Sequence, residues 1–390
     1  MAVSSTWTTP ILWMVALLLS ACSKPPDHMA SCSSICFTSD TKHVIVSVSR
    51  TKSDGAGLYM AEWPSGRIIR NSRGLELGWP TITINSAHNE AIVTSDGSGF
   101  TYAVNLTTWI ATRQQILNSK DTQCVFAAAA NGTFFAAEAE STTDSTPILH
   151  AFSRSGDQEW QMTFSKGSWP DCLTVDAGAN QLFLGLSNVS EQADAQTNLQ
   201  PDRPRILTVI PQTRAISHIY ELTSSPSCIC YSPGGDRLAY AVRDDVNLAY
   251  VAWFTVDIAT SATNALGEKQ RSITTAGDFS PDGTLFAHNT IFGVSVHGIN
   301  SSATFTSHSV ELPSGLLPRT IKFAPSGQLL LVGDNQGNIW TWDYRGDNSK
   351  PQTWINTGRH RDSVFSLILQ SKPSSFEVLS GNPMDLNDSP

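Results

Sequence analysis

The sequence repeats one pattern at nearly constant spacing over most of its length. In each copy an apolar segment ends at an anchor residue, and a turn rich in Ser, Pro, Asp and Gly follows most anchors. The anchors are Phe37, Ile84, Ala127, Val175, Tyr231, Phe279, Phe323 and Leu369. They recur about every 47 residues, a period typical of chains that stack one structural module on the next. A single architecture built from repeated modules is therefore expected.

Each repeat contains four short strand-like segments. After the anchor Phe323, apolar residues fill 329–332, apolar and polar residues alternate over 337–344, and a further segment covers 352–358. Amphipathic helices do not separate these segments, which excludes folds that alternate strands with helices. Four strands in a unit of this length predict an all-β chain, specifically a β-propeller of four-stranded blades.

The number of blades follows from counting the segments. There are eight anchors but only seven sets of third and fourth strands, so seven blades are favoured and eight stay open. A closed ring leaves no free sheet edge, and propellers commonly close by pairing the two chain ends in one blade. We therefore expect the segments at 364–369 and 376–381 to complete a blade that begins at the N-terminus.

The last complete repeat resembles the WD-repeat family. It contains Phe323-Ala324-Pro325-Ser326-Gly327, then Trp342-Asp343, and then Gly358-Arg359-His360. The resemblance covers 31–381 in period but only 320–381 in motif detail. It implies a propeller in which Trp342, Asp343 and His360 belong to a structural turn. A weaker likeness to pyrroloquinoline-type propeller repeats lies at 153–160.

The N-terminus begins with a short apolar run. Residues 11–19 are nine consecutive apolar residues, about 14 Å as a helix against a bilayer core of about 30 Å. That length suits the hydrophobic region of a signal peptide better than a membrane-spanning helix. The run leads into Leu19-Ser20-Ala21-Cys22, while residues 1–10 lack the Lys or Arg expected in front of it.

The quartet that ends at Cys22 resembles the bacterial lipobox. The resemblance implies a signal peptide at 1–21 and a lipid on Cys22, with a tether at 22–31, the propeller at 32–381 and a polar tail at 382–390. It also implies a membrane-anchored protein on the extracytoplasmic side. By the family's sorting rule, Ser23 favours the periplasmic face of an outer membrane where the organism has one. An ordinary secretory peptide and a buried N-terminal strand stay open as alternatives.

Six further cysteines share a pattern relative to the anchors. They are Cys32, Cys36, Cys124, Cys172, Cys228 and Cys230. Three of them stand three residues before an anchor, where the other repeats place Ser34, Thr81, Ala276, Thr320 and Ser366. Every residue in this register is small, which predicts a crowded position on the innermost strand.

Three interpretations of these cysteines differ in their chemistry. Cysteine is often a small buried apolar residue, and we favour this role. A disulfide, such as Cys32 with Cys36 or a pair across blades, stays open because the sequence shows no distances. A metal site is disfavoured, since Cys228-Ile229-Cys230 lacks the usual two-residue gap and has no histidine cluster beside it.

Composition and motifs exclude several classes of function. The net charge is −9 and there is no cluster of Lys or Arg, so nucleic-acid binding is not expected. The sequence holds no nucleophile-elbow, phosphate-loop or calcium-loop motif. We therefore predict no catalytic residue, metal or cofactor.

Two hypotheses of function remain. Because propellers act through the loops on their faces, the first is a lipid-anchored, non-enzymatic scaffold that binds protein partners in the cell envelope. Its longest insertion, at 187–205, is a candidate contact. The second is a propeller enzyme, a lactonase-like hydrolase or quinoprotein-like oxidoreductase, with its ligand on the central axis. Such a site would need several inward carboxylate, Asn or His side chains.

Overall fold

A computed structural model of the protein describes residues 30–50, 56–75, 80–95, 100–117, 122–140, 146–188, 203–244, 250–272, 274–299, 307–313, 315–346, 350–356 and 368–371. These residues form seven sheets that follow one another along the chain. The helical content of these ranges is a single 3-10 turn at Ser86–His88.

Four consecutive strands make up each of the first four blades. Blade 1 consists of β1 (Ala30–Phe37), β2 (His43–Arg50), β3 (Ala56–Glu62) and β4 (Ile68–Leu75). Blade 2 begins with β5 (Pro80–Asn85), β6 (Glu90–Ser95), β7 (Phe100–Asn105) and β8 (Ile110–Gln115). Blade 3 consists of β9 (Thr122–Ala128), β10 (Phe134–Glu140), β11 (Ile148–Phe152) and β12 (Gln158–Thr163). Blade 4 consists of β13 (Ser168–Val175), β14 (Leu182–Asn188), β15 (Arg205–Ile210) and β16 (Ala215–Glu221).

The last three blades repeat this order. Blade 5 consists of β17 (Pro226–Tyr231), β18 (Arg237–Arg243), β19 (Tyr250–Asp257), β20 (Thr263–Ala265) and β21 (Gln270–Arg271), and both short strands pair with β19. Blade 6 consists of β22 (Gly277–Phe279), β23 (Leu285–Asn289), β24 (Gly293–Gly298) and β25 (His308–Glu311). Blade 7 consists of β26 (Pro318–Phe323), β27 (Leu329–Asp334), β28 (Asn338–Asp343) and β29 (Gln352–Asn356). A final strand, β30 (Ile368–Ser371), follows.

Burial along each blade explains its sequence pattern. Second strands such as β27 and β23 are buried on both faces because each face packs against a neighbouring blade. They are accordingly continuous apolar runs rather than alternating ones. Outer strands are mostly exposed, and β16 buries only Tyr220. The order from apolar second strand to polar fourth strand is thus the order from the interior to the rim.

The core is divided among the blade interfaces. The buried side chains form seven apolar clusters in the described residues. One of them joins Ile35 and Val46 of blade 1 to Leu331 and Ile339 of blade 7. Strand β1 also contacts β26. The ring therefore closes by packing blade 1 directly on blade 7, and the prediction of an all-β propeller with seven four-stranded blades is confirmed.

The predicted closure by the C-terminal segment is wrong where the structure describes it. Strand β30, which contains Leu369, pairs in parallel with β8 at the outer edge of blade 2. Blade 1 takes all four of its strands from its own repeat and lacks none that the C-terminal segment would have to supply. Strand β30 instead pairs with the backbone groups at the edge of the outer strand β8. Leu369 is therefore not the anchor of an eighth blade. Residues 376–381 lie outside the described residues.

The predicted N-terminal segments also lie outside the described residues. They comprise the signal peptide at 1–21, Cys22 and the tether up to residue 29. Within the described ranges, no helix has the length and apolar character that crossing a bilayer requires.

Candidate binding site on the central axis

The inner strands of all seven blades converge on a cavity of about 590 Å³. It lies where these strands end in the turns that follow the anchors. Its walls therefore carry the anchor residues and their neighbours, and its rim is formed by the turns themselves. Every blade contributes residues to the cavity, because each repeat places its anchor region at the axis.

The residues immediately before the anchors form a ring around the axis. Each of them pairs with the corresponding residue on the second strand of its own blade, as Cys36 does with Ile45 and Lys322 with Leu331. The seven positions are Cys36, Thr83, Phe126, Thr174, Cys230, Asp278 and Lys322. Six of them line the cavity, and Cys230 is half-buried beside it. The ionisable members occupy consecutive blades 5, 6, 7 and 1, so one arc of the axis is polar.

An ion pair joins blades 6 and 7 in this arc. The Nζ atom of Lys322 lies 2.8 Å from Oδ1 of Asp278, and the backbone N–H of Phe323 donates to Oδ2 of the same carboxylate at 2.8 Å. Burial acts to lower the pKa of Lys322, yet the nearby Asp278 carboxylate outweighs burial and holds that pKa above its ordinary value. Lys322 therefore remains charged at neutral pH. The side chain is 38% exposed, and 17% of the Asp278 side chain is exposed.

Apolar residues line part of the cavity beside the ion pair. The anchors Phe279 and Phe323 are buried at its wall, and the turns after them place the exposed Pro281 and Pro325 at its rim. The equivalent turn of blade 5 adds Pro233. Apolar residues together with one ion pair are the lining of a pocket that binds a group with both kinds of surface.

Hydrogen bonds link neighbouring inner strands around the axis. The Ile82 N–H donates to Ser34 Oγ at 3.2 Å between blades 1 and 2. Thr275 Oγ1 donates to the Ser227 carbonyl at 3.0 Å between blades 6 and 5. The edges that face the axis are thus partly satisfied by neighbouring side chains, which makes the cavity pre-formed.

The six cysteines that follow Cys22 are free thiols in the structure. Cys32, Cys124 and Cys172 are buried, whereas Cys36, Cys228 and Cys230 are half-buried. Burial raises the pKa of Cys32, Cys36 and Cys172, and that of Cys230 is raised chiefly by its hydrogen bond with Cys228. Protonated thiols are poor nucleophiles, so these residues do not form an activated catalytic site.

The position three residues before the anchor is crowded in part of the ring. Ser34, Cys124, Cys172 and Ala276 are buried there, Cys228 and Thr320 are half-buried, and Thr81 is exposed. Across the ladder from Cys172 stands Gly185, where a Cβ atom would meet the Cys172 Sγ at 2.5 Å. Gly333 opposite Thr320 is equally confined, with Cys32 Sγ 2.4 Å from its would-be Cβ. Small size is therefore needed on both strands of these blades.

The residues of the WD-like turn lie in two parts of the chain. Trp342 is buried between blades 6 and 7, packed edge-on against Tyr344. Asp343 is exposed and accepts a hydrogen bond from the Arg345 N–H at 3.1 Å. His360 lies outside the described residues.

The polar arc was not predicted from the sequence. Only the cysteines of its register, Cys36 and Cys230, were recognised as standing one residue before their anchors, and Asp278 and Lys322 were not. The missed signal was present, since both charged residues occupy the same place relative to their anchors.

A second buried carboxylate lies further along the inner strands. A bulge in β13 leaves Asp171 unpaired in the ladder. Burial raises the pKa of Asp171 to about 6, although a hydrogen bond with Ser187 and the charge of Arg243 act to lower it. Its Oδ2 atom is buried without a hydrogen-bond partner. In the residues that the structure describes, no three His, Cys, Asp or Glu side chains group closely enough to hold a metal ion.

Comparison with known proteins identifies the fold. No protein-family model and no curated protein matches the sequence. Among solved structures, the β-propeller domain of Cps50 (Swd1) from Myceliophteria thermophila superposes with a TM-score of 0.55 at 12% identity, covering 80% of this chain and 97% of that domain. The Dos1 propeller gives a TM-score of 0.54 at 10% identity, covering 84% of each chain. At such identities the likeness establishes the β-propeller fold and no more.

Proposed function

We propose that this protein is a lipid-anchored, non-enzymatic scaffold of the cell envelope, and that protein partners bind the mouth of its axial cavity. The observation that carries the proposal is the pre-formed cavity with its apolar rim of prolines. A partner side chain can bury apolar surface there without reorganising the ring, which lowers the entropic cost of binding.

The chemistry of the cavity favours binding over catalysis. Its carboxylate, Asp278, is already bound to Lys322 and to the Phe323 N–H. A lactonase-like or quinoprotein-like site would need several free inward ligands for a metal or quinone, and the polar arc supplies one engaged carboxylate. We therefore propose that the cavity recognises a partner and does not catalyse a reaction.

The lipid anchor is the second part of the proposal, and it is supported by the sequence alone. The apolar run at 11–19 and the lipobox-like quartet that ends at Cys22 are its basis. Mass spectrometry of the mature protein should find Cys22 as an acylated N-terminal residue, and a Cys22→Ser variant should leave the membrane fraction. A mature chain that retains residues 1–21 without a lipid would overturn the anchor but leave the binding site untouched.

The binding site is tested with charged substitutions at the rim. Partners would be captured from solubilised membranes with the anchored protein and with a Pro281→Glu/Pro325→Glu double variant. Pro313→Glu is the matched control, because Pro313 is exposed and does not line the cavity. We expect the wild type and the control to retain the same stoichiometric partner and the double variant to lose it. Equal capture by all three proteins would exclude the cavity mouth as the contact.

A further inference from the structure

Cys228 and Cys230 bring two thiols together beside the axis. They are two residues apart on β17, so both side chains point to the same face of the sheet. Their Sγ atoms lie 3.9 Å apart, and both residues are half-buried. Cys230 belongs to the ring of positions around the axis and is half-buried beside the cavity.

A disulfide between these two residues would distort the strand. Residues two apart on an extended strand have Cα atoms about 6.6 Å apart, at the long limit of the range that a disulfide spans. The strand cannot shorten freely, because Cys228 and Cys230 are paired in the ladder with Ala241 and Ala239. Cys230 also donates its S–H to the Gly277 carbonyl of the next blade, at 3.2 Å. The two sulfurs are therefore held as a dithiol.

The same separation is close to what one metal ion between the two sulfurs requires. A two-coordinate Cu(I) ion holds its sulfurs nearly in line, about 4.4 Å apart for bonds of about 2.2 Å, so the two Sγ atoms at 3.9 Å need to move apart by only about 0.5 Å. Thiolates select soft ions such as Cu(I). The described residues offer no third His, Cys, Asp or Glu close enough to complete a larger ligand group, and this favours an ion that accepts few ligands over a four-coordinate zinc site.

We propose that Cys228 and Cys230 bind one Cu(I) ion as a two-thiolate site beside the axial cavity. Binding releases both thiol protons to solvent, and copper keeps its oxidation state. The product carries one net negative charge. The negative charge of Asp278 acts against the Cys230 thiolate, and the positive charge of Lys322 acts in the opposite direction.

The proposal extends the function of the protein beyond scaffolding and does not depend on it. The sequence alone disfavoured metal here because one residue, rather than two, separates the cysteines. The structure changes that inference, since the strand directs both thiols to one face at a suitable distance.

The test is a titration of the purified full-length protein with Cu(I) against a coloured Cu(I) chelator, without oxygen. The wild type should retain one tightly held equivalent and show a thiolate-to-copper charge-transfer absorption in the ultraviolet. Cys228→Ser and Cys230→Ser should each lose that equivalent, with affinity reduced at least tenfold. Cys36→Ser is the matched control, because Cys36 is also a half-buried axial thiol, and it should retain it.

A second readout separates metal binding from a folding defect. Each Cu(I) bound should release two protons, so the affinity of the wild type should rise with pH. Circular dichroism would establish that each serine variant is folded before it is titrated. Retention of the equivalent by a folded Cys228→Ser variant, or a wild type that holds no Cu(I) against the chelator, would overturn the proposal.

Discussion

At the scale of single residues, Asp278 has the largest structural role in the polar arc. Its two carboxylate oxygens bind the Lys322 ammonium and the Phe323 N–H. Both partners belong to blade 7, whereas Asp278 belongs to blade 6. One side chain therefore fixes the position of two neighbouring blades at the axis.

Removing this carboxylate should destabilise the ring. Asp278→Ala leaves a half-buried ammonium and a backbone N–H without their partner, which should lower the free energy of unfolding by about 2–3 kcal/mol. Asp278→Asn keeps an acceptor for the Phe323 N–H and should cost about half as much. Urea denaturation measures both. Glu62→Gln is the control, because Glu62 pairs with Arg67 at the surface and should unfold like the wild type. An unchanged unfolding midpoint for Asp278→Ala would contradict this role.

A buried histidine pair in blade 6 should make stability depend on pH. His288 Nδ1 donates to the Asn289 carbonyl at 3.1 Å, so its Nε2 accepts the hydrogen bond from His297 Nε2, also at 3.1 Å. Burial, reinforced by His297, lowers the pKa of His288 to about 4. Protonation of His288 at Nε2 would point its new N–H at the Nε2–H of His297, beside the Trp253 ring.

The sign of this dependence follows from proton binding. Between the ordinary histidine pKa of 6.5 and the folded value of about 4, the unfolded chain binds a proton that the folded chain rejects. The free energy of unfolding should therefore fall by up to about 3 kcal/mol as the pH decreases through this window. Urea denaturation between pH 7 and pH 4 measures it, and His288→Gln should flatten the dependence. A His88→Gln control, at an exposed residue, should keep the wild-type slope, and a His288→Gln variant with that same slope would refute the assignment.

At the scale of the strands, close packing of the first two strands limits side-chain size. Gly185→Ala would place a Cβ atom 2.5 Å from Cys172 Sγ and 3.0 Å from Pro226. Overpacking of this kind costs about 1–3 kcal/mol. Gly234→Ala is the control, since only the flexible Asp236 side chain lies near its would-be Cβ.

A double-mutant cycle identifies the cause of the clash. Cys172→Ala removes the sulfur, so Gly185→Ala should cost less in that background than in the wild type. Thermal or urea unfolding of the four proteins provides the comparison. Equal costs in both backgrounds would show that Cys172 is not the limiting contact.

The strands were largely predictable, but their partners were not. The apolar run at 329–332 indicated β27, because a strand buried on both faces is continuously apolar. The alternating segment at 337–344 indicated β28, because a strand buried on one face alternates apolar and polar residues. The segment around Leu369 also looks like a strand, and it is one. Its pairing with β8 depends on which outer strand this end of the chain reaches, and local sequence carries no information about that.

At the scale of the whole molecule, the period predicted the architecture because a repeated module has few ways to bury both faces. The axial cavity was not predicted, since it requires seven separate positions to meet in space. Asp278 and Lys322 are 44 residues apart and adjoin only because the blades are stacked around an axis. Seven blade interfaces, including that between blades 7 and 1, keep this arrangement rigid.

Hydrogen–deuterium exchange of the anchored protein, alone and with its captured partner, measures where on the ring the partner binds. The partner should slow exchange in the turns at 232–236, 280–284 and 324–328, which surround the cavity, and leave the outer strand β16 unchanged. Slowed exchange confined to outer strands, with these turns unaffected, would contradict the claim that the protein binds its partners at the axis.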